Sequence, residues 1–171
     1  MRSESKAEIT VFLTLILSIV SAFIISLSTL ADSYVSKGEA AYATDCAVMS
    51  CFAEYNRELF DRFGILLIDS SFKTPEGGID RIKEHFSMYL TNSLTVNELR
   101  DVSVSVSDNS QPCEERYGIT DEVIEYMRDN GSPGFDPDGC FYDLVFTATF
   151  AGPSTGTFCI TRQYSYETGI M

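Results

Sequence analysis

Five cysteines, one histidine and a cluster of aspartates are the residues in this sequence whose types and spacing bear on chemistry. Cys46 and Cys51 lie five apart in a segment of helical spacing. There they point in different directions and do not bond each other. Cys113, Cys140 and Cys159 lie farther along, near turns and strands. In an exported domain at least one disulfide would join two of these three, with the pairing left open by sequence and one cysteine left over. No CxxC is present, and a single histidine, His85, excludes most zinc patterns. His85 is also the only base of its kind for a Ser or Cys nucleophile, and in Lys83-Glu84-His85-Phe86 an inward Phe86 turns it to water. There is no GxSxG, Walker loop, HExxH or glycine-rich dinucleotide turn, so no enzyme and no cofactor is expected. Asp136-Pro137-Asp138-Gly139, with Asp129 and Asp143 nearby, has a faint likeness to a calcium loop. Asp136, Asp138 and Asp143 would be its ligands. The stretch lacks the third-ligand spacing and the terminal Glu of an EF-hand, and Asp, Pro and Gly are equally the residues of a turn.

With so little chemistry, the elements carry the reading. No charged residue occurs from Ile9 to Ala31. Those residues, at about 1.5 Å each, reach across a hydrocarbon core about 30 Å thick. Arg2 and Lys6 on the N-terminal side favour an N-terminus in the cytoplasm, with lipid around the segment and the rest of the chain outside. A cleaved secretory signal is the rival, with Thr29-Leu30-Ala31 as its cleavage site, but its apolar core should be shorter. Within the apolar stretch Thr10, Thr14, Ser18, Ala22 and Ser26 recur every fourth residue. On a helix they make a slowly drifting stripe of small side chains that lets another helix approach closely. The alternative is that the hydroxyls bond only their own carbonyls one turn back.

No breaker follows Ala31 until Gly64, apart from Gly38. Tyr34, Gly38, Ala41, Cys46 or Val48, Phe52, Tyr55, Leu59 and Phe63 keep roughly helical spacing, and Gly64 offers a C-terminal cap. This predicts one helix from about residue 8 to 63, about 80 Å long, lipid-bound over 8–31 and amphipathic over 32–63.

Residues 64–171 then have the size of one small domain. Gly64 to Asp69 reads as a short buried strand and Glu76-Gly77-Gly78 as a turn. Ile79, Ile82, Phe86, Tyr89 and Leu90 mark a helix to about Leu94. Val102, Val104 and Val106 alternate with Ser as a half-buried strand. Arg116 to Arg128 reads as one helix with Ile119, Val123, Ile124 and Met127 inward, and Asp129 to Gly139 as a loop. Tyr142–Phe150 and Thr157–Tyr166 form an antiparallel hairpin around Gly152-Pro153-Ser154-Thr155-Gly156. The fold class is α+β: a long N-terminal helix packed on a small antiparallel sheet. A formal charge of -13 excludes nucleic acid as a natural partner, because phosphate binding needs clustered Lys and Arg.

The N-terminus resembles a type IV prepilin leader. Arg2-Ser3-Glu4-Ser5-Lys6-Ala7 would be the leader (residues 1–7), cut by a prepilin peptidase between Ala7 and Glu8. Lys6-Ala7-Glu8-Ile9-Thr10-Val11-Phe12-Leu13 is similar to the start of TadE-like pseudopilins of the tight-adherence pilus system. With Phe52-Ala53-Glu54-Tyr55-Asn56-Arg57-Glu58-Leu59 and Phe63-Gly64-Ile65-Leu66, it is more similar still to a family of Gram-positive TadE-like membrane proteins. The likeness covers about residues 6–69. It departs at Ala7, usually Gly, and at Phe12, where most pilins carry a Glu that helps draw the next subunit into register. The resemblance implies a pilin-like fold and a minor subunit, tip component or assembly-platform partner of a surface pilus or secretion system. Its implied partners are other pilus-assembly subunits and a prepilin peptidase. A membrane-anchored extracytoplasmic binding or sensing module is the alternative. A sensor needs a cytoplasmic output, and the few residues before the apolar segment are too short for one.

Overall fold

The computed structural model describes residues 4–70, 78–108, 110–130, 134–166 and 169–170, with side chains described between Ile9 and Tyr166 only. Helix α1 runs from Glu4 to Phe52, 49 residues, a length of about 73 Å at the standard rise. Its two halves live in different surroundings. From Ile9 to Ala31 every side chain is exposed. From Ser36 onward one face is buried: Ser36, Ala40, Ala43, Thr44, Ala47, Val48, Cys51 and Phe52. Steps of three and four residues keep these positions on one side of the helix.

The face that docks differs from the one expected. Tyr34 and Gly38 point outward, Tyr34 with 79% of its surface exposed, and Tyr42 lies on the same side. Val48 and Phe52 do face inward. The seam is built mainly of small side chains, three alanines with Ser36, Thr44 and Cys51, which let the helix lie close to a sheet already filled with phenylalanines. The aromatic spacing points to the opposite side.

The helix also stops earlier than its periodicity suggests. It ends at Phe52, and a second helix, α2 (Arg57–Phe63), starts after a break. Asn56 caps α2: its Oδ1 accepts the Leu59 N–H at 3.1 Å, and its backbone is extended. Its backbone N–H donates to Leu67 O at 3.0 Å, Tyr55 forms a bridge with Ile68, and the Asn56 Nδ2 donates to Asp69 Oδ2 at 2.8 Å. The chain thus exchanges helical hydrogen bonds for sheet and side-chain partners. At the far end Gly64, with φ 70°, closes α2 by donating to Phe60 O at 2.8 Å, the capping role expected of it.

After the two-residue strand β1 (Ile68–Asp69) comes α3 (Ile79–Ser93), burying Ile82, Phe86 and Leu90. Strand β2 (Glu98–Val106) follows, then two short helices, α4 (Cys113–Tyr117) and α5 (Asp121–Asn130). The single helix expected over 116–128 is therefore two, because Gly118 adopts φ 60° and its N–H turns back to Glu114 O. A 3₁₀ turn at Pro137–Gly139 leads into β3 (Cys140–Phe141), β4 (Asp143–Gly152), β5 (Gly156–Ser165) and β6 (Gly169–Ile170). The main sheet is antiparallel in the order β2-β4-β5-β6, and β1 pairs with β3 in a separate two-stranded ladder.

Strand β4 is the centre of the fold. Leu144, Phe146, Ala148 and Phe150 alternate inward with no exposed surface and meet α1 and α3 on that face. At roughly 1.5–3 kcal/mol for each fully buried large apolar side chain, this row is a main source of stability. Phe158, Ile160, Tyr164 and Tyr166 of the following segment pack on the same core. Val102 and Val104 do so from β2. Val106 does not: at the end of the edge strand it is 38% exposed. A second, smaller cluster joins Leu59 of α2 to Leu67, Cys113, Ile119, Met127, Phe135, Cys140 and Tyr142.

Candidate membrane-packing surface

The largest uncovered apolar surface is the first half of α1, the one helix among the described residues long and apolar enough to cross a membrane. Phe12, Leu13, Leu17, Ile19, Phe23 and Ile25 each expose more than half of their surface. Among the described residues, no part of the domain folds back over them. The stripe residues Thr10, Thr14, Ser18, Ala22 and Ser26 are all on this exposed rod. The hydroxyls of Thr14, Ser18 and Ser26 are used locally. Thr14 donates to Thr10 O and Val11 O at 3.1 and 2.8 Å, Ser18 to Thr14 O at 2.8 Å, and Ser26 to Ala22 O at 2.9 Å. With those protons committed, what the stripe offers a neighbour is small volume rather than free donors. Ala7 and Glu8 lie within the helix backbone, and their side chains, like Met1–Ser3, lie outside the described residues.

Where the rod meets the domain, a polar clamp fixes it. The Glu39 carboxylate accepts the backbone N–H groups of Thr95, Val96 and Asn97 at 2.7 to 3.2 Å, the Asn97 amide at 2.6 Å and the Thr95 hydroxyl. One turn earlier the Ser36 hydroxyl donates to Asn97 Oδ1, and the Asn97 amide returns a bond to Ser36 O at 2.7 Å. Slight burial pushes the Glu39 carboxyl up, but the hydrogen bonds from Thr95, Val96 and Asn97 outweigh it and hold the group below its ordinary range. Farther out, Arg162 donates to Asp45 at 2.6 Å, and Tyr166 OH to the last carbonyl of α1, Phe52 O, at 2.7 Å. The sequence carries no signal for this clamp, because Glu39 and Asn97 belong to no motif and lie 58 positions apart in the chain.

At the outer end of α1, Glu54 is pinned by α3. His85 Nδ1 stands 2.8 Å from Glu54 Oε2, and Tyr89 OH donates to Glu54 Oε1. His85 is thus a half-buried partner of a carboxylate rather than a residue turned only to water. The bond to Glu54, then burial and the Glu54 charge, push the Tyr89 hydroxyl up to about 12. The arrangement ties two helices together. Nearby Cys51 is buried, its thiol raised to about 12 by burial first and by Glu54 second, so it stays protonated. In Phe52-Ala53-Glu54-Tyr55-Asn56-Arg57-Glu58-Leu59, Phe52 and Leu59 are buried, Glu54 and Asn56 tie or cap, and Tyr55 bridges.

All five cysteines are free thiols, and none stands at bonding distance from another. The expected disulfide among Cys113, Cys140 and Cys159 is not formed. Cys159 is exposed on β5, whereas Cys113 and Cys140 are buried in the second cluster. The aspartates of the suggested calcium loop serve as turn and strand residues. Asp136 accepts the Asp138 N–H at 3.2 Å as cap of the 3₁₀ turn, and Asp143 accepts from Gln163 at 3.1 and 3.3 Å. Among the described residues no three His, Cys, Asp or Glu side chains are grouped to hold a metal ion. No family model, characterised protein or solved structure matches the chain.

Proposed function

We propose that this chain is a non-enzymatic structural subunit that is anchored in the cell membrane and packs its long helix sideways against other subunits. The reading is that of a minor pilin or pseudopilin-like component of a tight-adherence or type IV pilus-like appendage or secretion system. Its N-terminus lies in the cytoplasm and its domain outside. One observation carries it: a single unbroken helix is bare over its apolar half and clamped into a folded domain over the other. A contact made by the bare half is therefore transmitted rigidly to the domain. A flexible linker after Ala31 would have served a tethered binding module as well, and there is none.

The sequence likeness of residues 6–69 to TadE-like proteins supports the same reading, as does the small-residue stripe. Cleavage between Ala7 and Glu8 by a prepilin peptidase is part of it. The test is the mass of the mature N-terminus in cells with and without a prepilin peptidase, combined with crosslinking in the membrane. The proposal expects a chain starting at Glu8 and crosslinks to other pilus-assembly components. A chain starting at Asp32 would refute the anchor. A chain retaining Met1, without any crosslinked neighbour, would favour a solitary binding or sensing module.

A further inference from the structure

We infer that the underside of the domain rests on the outer surface of the bilayer, through the loop over residues 95–97 and the turn between β4 and β5. The domain then rides at a fixed height on the membrane. The inference rests on the membrane anchorage proposed above. Two independent observations lead to it: the distance along α1 and the placement of charge.

The apolar run ends at Ala31, and the domain begins almost at once. Ser33 is already half-buried. Ser36 touches both loops, its hydroxyl donating to Asn97 Oδ1 and standing 3.5 Å from Thr155 Oγ1. At 1.5 Å per residue, Ser36 lies about 7 Å beyond Ala31 along the axis, and Glu39 about 12 Å. Glu39 accepts the Val96 N–H at 3.0 Å. A helical side chain leans toward the N-terminus, so this loop lies on the membrane side of the Glu39 backbone. A bilayer about 40–45 Å thick over a hydrocarbon core of about 30 Å leaves a headgroup layer roughly 5–8 Å deep on each side. Both loops therefore meet its outer boundary. Tyr34, exposed beside Val35, stands within the layer, where its ring and its hydroxyl both find suitable surroundings.

The chain has a formal charge of -13, yet neither loop bears any of it. No Asp, Glu, Lys or Arg occurs from Thr91 to Asn97 or from Leu144 to Thr161. The acidic helices α4 and α5 instead pack with Tyr142, at the opposite end of β4. Where the rod enters, Asp32 and Lys37 are opposite in sign, Glu98 pairs with Arg100 at 2.9 Å, and Glu39 is taken up by the clamp. The underside offers Val96, 49% exposed, and Pro153, with the exposed Ser154 and Thr157 beside them. Small apolar and hydroxyl groups suit a layer of phosphates, ester carbonyls and water. Unpaired carboxylates there would be repelled by the lipid phosphates.

The sequence contains no Trp, so a single introduced one reports its own surroundings. The full chain is reconstituted in phosphatidylcholine vesicles as Phe23→Trp, Val96→Trp, Ser154→Trp or Val106→Trp, all at exposed positions. Emission is quenched by lipids brominated high or low on the acyl chains, and separately by aqueous acrylamide. Phe23→Trp tests the anchor itself. Val106→Trp is the distal control, roughly 26 Å along β2 from its membrane end. The expected result is loss of emission to lipid bromine at Phe23→Trp, Val96→Trp and Ser154→Trp, with Val106→Trp quenched by acrylamide alone. With Phe23→Trp quenched by lipid, V96W and S154W behaving like V106W would overturn the inference. So would V96W emission shielded from acrylamide yet untouched by bromine, which would mark a second copy of the chain over this face. Absence of lipid quenching at Phe23→Trp would instead overturn the anchorage on which the inference rests.

Discussion

Gly152 sits where three polar side chains converge at the base of the rod. A Cβ there would overlap the Thr155 hydroxyl and lie 2.5 Å from Ser36 Oγ and 2.7 Å from Asn97 Oδ1. Because Ser36 and Asn97 are themselves held in the clamp, they have little room to give. Gly152→Ala should cost about 1–3 kcal/mol, read as a lower thermal midpoint of the whole chain in detergent. Gly38 provides the contrast. It lies inside α1, and a methyl group added there would meet nothing within 4 Å, so Gly38→Ala should stabilise by about 0.5–1 kcal/mol in the same assay.

Glu39 adds a pH dependence. Its carboxyl is held below the ordinary value in the folded chain, so the unfolded state binds the proton more readily. Its contribution is present above the unfolded carboxyl pKa and is lost as pH falls through the lower folded one. Glu39→Gln should therefore lower the midpoint at pH 6 and make little difference near pH 3. An equal loss at both pH values would show that its charge plays no part.

At the scale of elements, the strands were the most legible. The alternation of Leu144, Phe146, Ala148 and Phe150 follows the two-residue period of a half-buried strand, and nothing in the fold competes with it. Helix boundaries were harder to read. Residues 53–56 contain no Pro or Gly, and their break depends on partners remote in sequence: Leu67, Ile68, Asp69, His85 and Tyr89. Only Asn56, a preferred capping residue with Glu58 following, carried a local hint of the new helix start. Gly118 carried the equivalent hint for the stop between α4 and α5.

If the Asn56 cap and its bond to Asp69 hold the break, Asn56→Ala should destabilise the chain by roughly 0.5–2 kcal/mol. Hydrogen exchange should then quicken in Leu59–Phe63 before it quickens in β4. Uniform acceleration across both would mean that the break is fixed by the core alone. The docking face of α1 was misread for a related reason. Hydrophobic spacing singles out large side chains, and this helix buries alanines while exposing Tyr34 and Tyr42.

The whole molecule is a rod and a head, the head gripping the rod by a seam of mostly small side chains and a carboxylate clamp. The coarse arrangement was legible because an uncharged run of that length has few other uses. The clamp was not, since it depends on groups that only the fold brings together. On this account the stripe of Thr14, Ser18, Ala22 and Ser26 is a seam for another helix. The measurement that tests this most directly compares two double variants in the native membrane, read by crosslinking and co-purification with other membrane components. Ser18→Leu with Ala22→Leu keeps the segment apolar, so insertion and the folded head should survive while two bulky side chains hold a neighbouring helix away. Ile16→Leu with Val20→Leu changes a different face, at about 100° per residue, and should leave assembly intact. The account predicts loss of crosslinked neighbours in the first variant only. Equal yields from both variants would contradict it and leave the helix as an anchor alone.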